Sequence, residues 1–203
     1  MLSGGCLAYA RHSSRWRDLT EAIRETVAMK SENNVQGAKK VRLIVLDVDG
    51  VLTDGSIYYG QSGDELKVFN IQDGLGIKLL QRAGIEVAII TGRDSAPVTR
   101  RAAELGIEQV IQGREDKLVA LEELLETSSY TLDEVAYMGD DLPDLAAIRR
   151  VGVGMTVANG NLAVVAHACW QSTKPGGSGA VREAAEFILE AQGKLDSVIA
   201  SYL

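Results

Sequence analysis

Short apolar runs rich in β-branched residues recur from Val41 onward, and each is followed by a stretch with helical spacing. Continuous apolar runs of this length suit strands buried on both faces. The pattern predicts strands at 41–49, 86–91, 109–112, 134–139, 151–155 and 168–172. It predicts helices at about 73–83, 95–105, 115–126, 142–149, 161–166 and 180–192. Strands alternating with helices predict βαβ units, hence an α/β fold: a doubly wound, Rossmann-like parallel sheet. One segment breaks the rhythm. Ser56–Tyr59, the Gly60-Gln61-Ser62-Gly63 turn and Asp64–Phe69 read as a β-hairpin directly after the first strand, expected to project over the sheet end as a flap.

Residues 1–40 differ from the rest. Trp16, Leu19, Ile23 and Val27 recur at helical spacing and predict an amphipathic helix at about 14–29. Ser31–Asn34 and Gln36–Lys40 then read as a polar linker. The expected organisation is an N-terminal extension over 1–40 and a globular domain over 41–203. A chain of 203 residues suffices for one domain with a real core.

Charge and cysteine usage narrow the partners. The net charge is −7 with no basic block, which argues against nucleic acid and anionic membranes. No apolar run reaches the roughly 20 residues that span a bilayer, and no apolar stretch follows Arg11, Arg15 and Arg17 as a signal peptide requires. Cys6 and Cys169 form neither metal-ligand spacing nor a disulfide framework. A reducing, cytoplasmic setting is expected.

The chemistry-bearing residues cluster at strand ends. Asp47-Val48-Asp49-Gly50 closes the first strand, where an open α/β sheet places its ligands. Alternation along a strand puts Asp47 and Asp49 on one side. The next strand ends in Thr91-Gly92-Arg93, whose hydroxyl and backbone N–H suit a phosphate oxygen. Lys117 opens a later helix, and Gly139-Asp140-Asp141-Leu142-Pro143-Asp144 follows the fourth strand. Alone, each Asp reads as a helix N-cap and Thr91-Gly92 as a turn. Together, in this order and all at strand ends or helix starts, they describe a hard oxygen site suited to Mg²⁺ and a phosphate.

These four motifs resemble those of the haloacid dehalogenase-like phosphohydrolases. That resemblance implies Asp47 as a nucleophile forming an aspartyl-phosphate and Asp49 as general acid, then base. It implies Mg²⁺ held by Asp47, the Asp49 carbonyl and Asp140, with Thr91 and Lys117 on the phosphoryl group. Asp141 and Asp144 would support the metal or orient Lys117. Only 43 residues separate Asp47 from Thr91, and 25 separate Thr91 from Lys117, so neither gap holds a cap domain. The Asp47–Gly55 stretch, Glu65–Asn70, Asn70–Gly74, the Gly176–Glu183 tail and Ala191–Asp196 look like the capless 3-deoxy-D-manno-octulosonate 8-phosphate (KDO 8-phosphate) phosphatases.

That narrower resemblance implies a homotetramer, a sugar phosphate substrate and a place in lipopolysaccharide biosynthesis. The N-terminal extension departs from the family's pattern. Arg93, Lys67 and Arg182 are the cations available for the substrate carboxylate and hydroxyls. A phosphatase for a nine-carbon acid sugar 9-phosphate is the nearest enzymatic alternative. A non-catalytic oligomerisation module is the other, against which the intact Asp47, Asp49, Lys117 and Asp140 set argues. Pro175 stands where a Cys-x₅-Arg loop from Cys169 would need Arg, and no P-loop motif occurs.

Overall fold

Four apolar residues, Leu43–Leu46, form the strand around which the sheet is built. The computed structural model describes residues 32, 34–61 and 64–203. The helix expected at 14–29 and the hairpin-turn residues Ser62 and Gly63 lie outside them. The sheet strands are β1 (Leu43–Leu46), β4 (Glu86–Ile90), β5 (Gln109–Ile111), β6 (Val135–Met138), β7 (Val153–Thr156) and β8 (Trp170–Gln171). They are all parallel, in the order β5-β4-β1-β6-β7-β8. β2 (Tyr58–Tyr59) and β3 (Glu65–Leu66) pair antiparallel as the separate flap, with Tyr59 opposite Glu65.

Alternation along β1 divides the core. Ile44 and Leu46 pack on one face with residues of α1 (Ile71–Arg82), α2 (Ala96–Leu105) and α6 (Ala180–Ala191). Leu43 and Val45 pack on the other with residues of α3 (Lys117–Glu126), α4 (Leu145–Arg150) and α5 (Leu162–His167). Among the described residues no cap domain interrupts this layering. Register then sets the site: Leu46 pairs with Ile89 of β4 and with Met138 of β6. The three central strands therefore end level, and Asp47, Thr91 and Asp140 all emerge from one edge.

Several boundaries differ from the sequence pattern. β1 stops at Leu46, so both aspartates stand in the turn beyond it, where the Val48 carbonyl accepts from Val51, Leu52 and Thr53 at 3.2, 3.0 and 3.0 Å. The expected helix at 142–149 opens as a 3-10 turn, Leu142–Asp144, before α4. A last helix, α7 (Leu195–Ala200), was not apparent, because only Val198 is buried in it. The stretch 36–40, read as linker, is helical to residue 38. Ala38 is fully buried, and its carbonyl accepts from Gln192 at 3.1 Å. One small buried residue among polar ones leaves no periodic signal.

The turn after β1 is braced by the C-terminal tail. Gly177 donates to the Val51 carbonyl at 2.9 Å, and Gly176 donates to Asn159 Oδ1 at 3.0 Å. A Cβ on Gly176 would stand 1.8 Å from the Gly50 carbonyl oxygen. Asp73 of α1 caps the start of α6, accepting from Gly179 at 3.2 Å and Arg182 at 2.9 Å. Gly176→Ala should therefore cost about 3 kcal/mol or more through overpacking against fixed backbone. Gly84, at φ +79 with open space around it, is the control; its Ala variant should lose about 1 kcal/mol from backbone strain alone. Denaturant titration of both variants checks this, and equal losses would contradict it.

Candidate active site

The centre of the site is an ammonium shared by two carboxylates. Lys117, the first residue of α3, is nearly inaccessible, and its Nζ lies 2.9 Å from Asp47 Oδ1 and 2.7 Å from Asp144 Oδ1. Asp144 is held from every side. Its Oδ1 also accepts from the Tyr137 hydroxyl at 3.0 Å. Its Oδ2 accepts the backbone N–H of Asp140 at 3.1 Å and of Asp141 at 3.2 Å. Gly139 makes this possible, since a Cβ there would stand 2.2 Å from Asp144 Cγ.

Asp47, Asp140 and Asp144 bring carboxylate oxygens within 4.8 Å of one another. Three carboxylates face one ammonium, and the imbalance is visible in their acidity. Burial, then Asp144, pushes Asp47 up to about 7, although Lys117 opposes the shift. Burial, then Asp144, likewise pushes Asp140 up to about 6. Burial lowers the pKa of Lys117, but Asp47 and Asp144 outweigh it and hold the ammonium above its ordinary value. An all-oxygen set with excess negative charge fits a hard divalent cation. Asp144 already accepts from four donors, which leaves Asp47 and Asp140 as the carboxylates best placed to meet one.

Asp49 belongs to a second ion-pair group, tied to the flap. Its Oδ1 takes a short contact from Lys67 Nζ, and its Oδ2 lies 3.8 Å from Arg93 Nε. Glu65 of β3 bridges the same two cations, 3.3 Å from Lys67 and 3.1 Å from Arg93. Burial alone would raise Glu65, but hydrogen bonds from Arg93 and Lys67 hold it below its ordinary value. Arg93 Nε is buried with no hydrogen-bond partner.

A cavity of about 350 Å³ joins the two groups. Asp47, Asp49, Thr91, Gly92, Arg93, Lys117, Asp140, Asp141 and Asp144 all line it. The sequence-derived set thus converges, with two exceptions. Lys67 does not line the cavity, and its side chain is only 1% exposed beneath Asp49 and Glu65. Arg182 lies on α6, pairs with Glu186 at 2.7 Å and borders a different cavity with Lys174 and Gln72. Glu65 and Tyr137 escaped the sequence reading. An acidic residue two positions before Lys67 was a usable signal for the first. The single hydroxyl in the Val-Ala-Tyr-Met strand was the signal for the second.

Comparison with known proteins agrees with this geometry. The haloacid dehalogenase-like hydrolase family matches residues 107–183. The chain is 46% identical over 166 residues to the 3-deoxy-D-manno-octulosonate 8-phosphate phosphatase of Escherichia coli (strain K12), covering 82% of this chain and 88% of that protein. The crystal structure of the Moraxella catarrhalis enzyme of that name, in complex with magnesium ion, phosphate ion and KDO, superposes with a TM-score of 0.82. It is 50% identical, over 83% of this chain and 97% of that one. The Yersinia pestis enzyme superposes with a TM-score of 0.79 at 46% identity, over 81% of this chain and 89% of that one. With motifs, fold and relatives in agreement, this chain belongs to the haloacid dehalogenase-like hydrolases, within the family of 3-deoxy-D-manno-octulosonate 8-phosphate phosphatases.

Proposed function

We propose that this chain hydrolyses KDO 8-phosphate to KDO and inorganic phosphate, with Mg²⁺, in lipopolysaccharide biosynthesis. The observation that carries the reading is the placement of Lys117 between Asp47 and Asp144 in one cavity with Asp49, Thr91 and Asp140, in a chain 46% identical to a phosphatase of that name.

Asp47 is the nucleophile. One of its carboxylate oxygens attacks phosphorus, and the ester P–O bond to the sugar breaks. Asp49 gives its proton to the leaving oxygen. It then takes a proton from the water that attacks the aspartyl-phosphate, which releases phosphate and restores Asp47. Lys117 offsets the repulsion between the Asp47 carboxylate and the phosphate dianion. Thr91 and Gly92 offer a hydroxyl and an N–H to phosphate oxygens. Asp47, Asp140 and the Asp49 carbonyl would hold Mg²⁺, and bound there the ion neutralises charge on the phosphoryl oxygens. Asp144 anchors Lys117, and Asp141 accepts from Asn161 at 3.0 Å beside it.

Arg93 is our choice for the substrate carboxylate, because its side chain is 39% exposed and lines the cavity beside Asp49. Lys67 acts through Asp49 and Glu65. Arg182 is assigned no contact with the cavity of its own chain. We infer a homotetramer assembled through the flap, supported by the exposed apolar side chains Ile57, Tyr58, Tyr59, Leu66 and Val68. The cytoplasmic location expected from cysteine usage completes the reading.

Phosphate release should be strongest with KDO 8-phosphate over a nine-carbon acid sugar 9-phosphate and p-nitrophenyl phosphate. It should vanish with EDTA and in Asp47→Asn. Preference for the nine-carbon sugar would keep the mechanism and change the substrate. Sedimentation velocity should give a tetramer, and Tyr59→Asp with Leu66→Asp should yield smaller species; an unchanged tetramer would move the interface off the flap.

The acidity of the site predicts a pH effect. Asp47 and Asp140 have folded pKa values raised above 3.8, so the folded state favours their protonated forms. The metal-free protein should lose stability as pH rises from about 4 to about 7. Mg²⁺ should raise the melting temperature more at pH 8 than at pH 5. An equal rise at both would count against Asp47 and Asp140 as ligands.

A further inference from the structure

Tyr137 is the third residue of β6, and it is fully buried. Its neighbours Val135, Ala136 and Met138 are apolar and equally buried. Its ring belongs to the core layer of Leu43, Val45, Ala88 and Leu121. Phenylalanine would fill that space without a hydroxyl that needs a partner. Tyr137 does not line the cavity of Asp47 and Asp140, so substrate does not reach it.

The hydroxyl has one described contact, and it is at the centre of the site. It donates to Asp144 Oδ1 at 3.0 Å, the oxygen that also accepts from Lys117 at 2.7 Å. Burial and the charge of Asp144 push the phenol well above its ordinary value, so it remains a donor. Lys117 in turn stands between Asp144 at 2.7 Å and Asp47 at 2.9 Å. An oxygen that serves two donors divides its lone pairs between them. Removing one donor strengthens its hold on the other and draws the ammonium away from Asp47. The other Asp144 oxygen is fixed by two backbone N–H groups, so the carboxylate cannot turn to compensate.

We infer that Tyr137 is a positioning residue whose hydroxyl, through Asp144 Oδ1, sets where Lys117 stands between Asp144 and Asp47. The inference rests on the reading of Asp47 as nucleophile and Lys117 as the cation beside it. Tyr137→Phe keeps the ring and removes one oxygen. With saturating Mg²⁺ and KDO 8-phosphate, its kcat should fall about 10-fold, as loss of a group behind a catalytic residue does. Its KM should stay within about 2-fold, since the lost interaction acts in the transition state. Tyr137→Leu lacks the hydroxyl and leaves a void; it should lose kcat at least as far, with a lower melting temperature besides.

In an Asp144→Asn background, measured with enzyme in excess, adding Tyr137→Phe should change the rate by less than about 2-fold, because both act on one path. Three results would overturn the inference. One is a wild-type kcat in Tyr137→Phe with loss only in Tyr137→Leu, which would mean packing. Another is the same 10-fold loss in both backgrounds. The third is failure of Tyr137→Phe to fold. Asp47→Asn, assayed alongside, separates this from the underlying reading. Turnover retained there sinks the assignment of the site. Turnover lost there with Tyr137→Phe unaffected sinks the role of Tyr137 alone.

Discussion

Everything at the sheet end depends on one buried ammonium. Among the described residues Lys117 is the cation that pairs with Asp47 and Asp144, and removing it would leave both as uncompensated buried charges. The surrounding structure is arranged to keep it in place. Two backbone N–H groups orient Asp144, Gly139 lets Asp144 approach, and level strand ends bring Asp47 opposite. The negative charge that remains unbalanced favours a further cation, and it would repel a phosphate dianion until a cation offsets it.

The second ion-pair group is different in character. Glu65, Lys67, Arg93 and Asp49 tie the flap to the turn after β1. The flap itself has only a two-residue pairing on each side, too little to stand alone. Its position is therefore an electrostatic matter, fixed in part by Asp49 and Arg93, which also line the cavity. In this chain the short hairpin thereby sets Glu65 and Lys67 against Asp49 and its neighbourhood.

Much of this was legible in the sequence. The sequence pattern located every strand of the sheet, most clearly β1, β6 and β7, which are buried throughout, and less so the half-exposed edge strands β5 and β8. The acidic and basic motifs sit at strand ends, and the fold brings all of those residues but Lys67 and Arg182 to one cavity. What stayed hidden had physical causes. Asp47 and Asp49 lie beyond β1, since the strand stops with the apolar run at Leu46 and the chain turns at Val48. Lys67 looked available for ligand, and only the fold shows it enclosed between Asp49 and Glu65. Arg182 looked like a site residue from its Gly-rich approach, but α6 directs it to Glu186. Tyr137 was read as strand, because its ring and its hydroxyl serve different ends and only the ring follows a pattern.

The contact of Gly176 with Gly50 couples chemistry to the order of synthesis. The turn after β1 is made early, yet the backbone that braces it comes from residues 176–177, far along the chain. Such a long-range contact forms late, after the intervening loop has closed. A ribosome-bound chain that has presented the Asp47–Asp49 pair but not residues 176–191 lacks this brace and holds the turn by its own hydrogen bonds to the Val48 carbonyl and by the neighbouring strands. The turn after β1 thus gains the last of its backbone support only when the C-terminal tail has emerged.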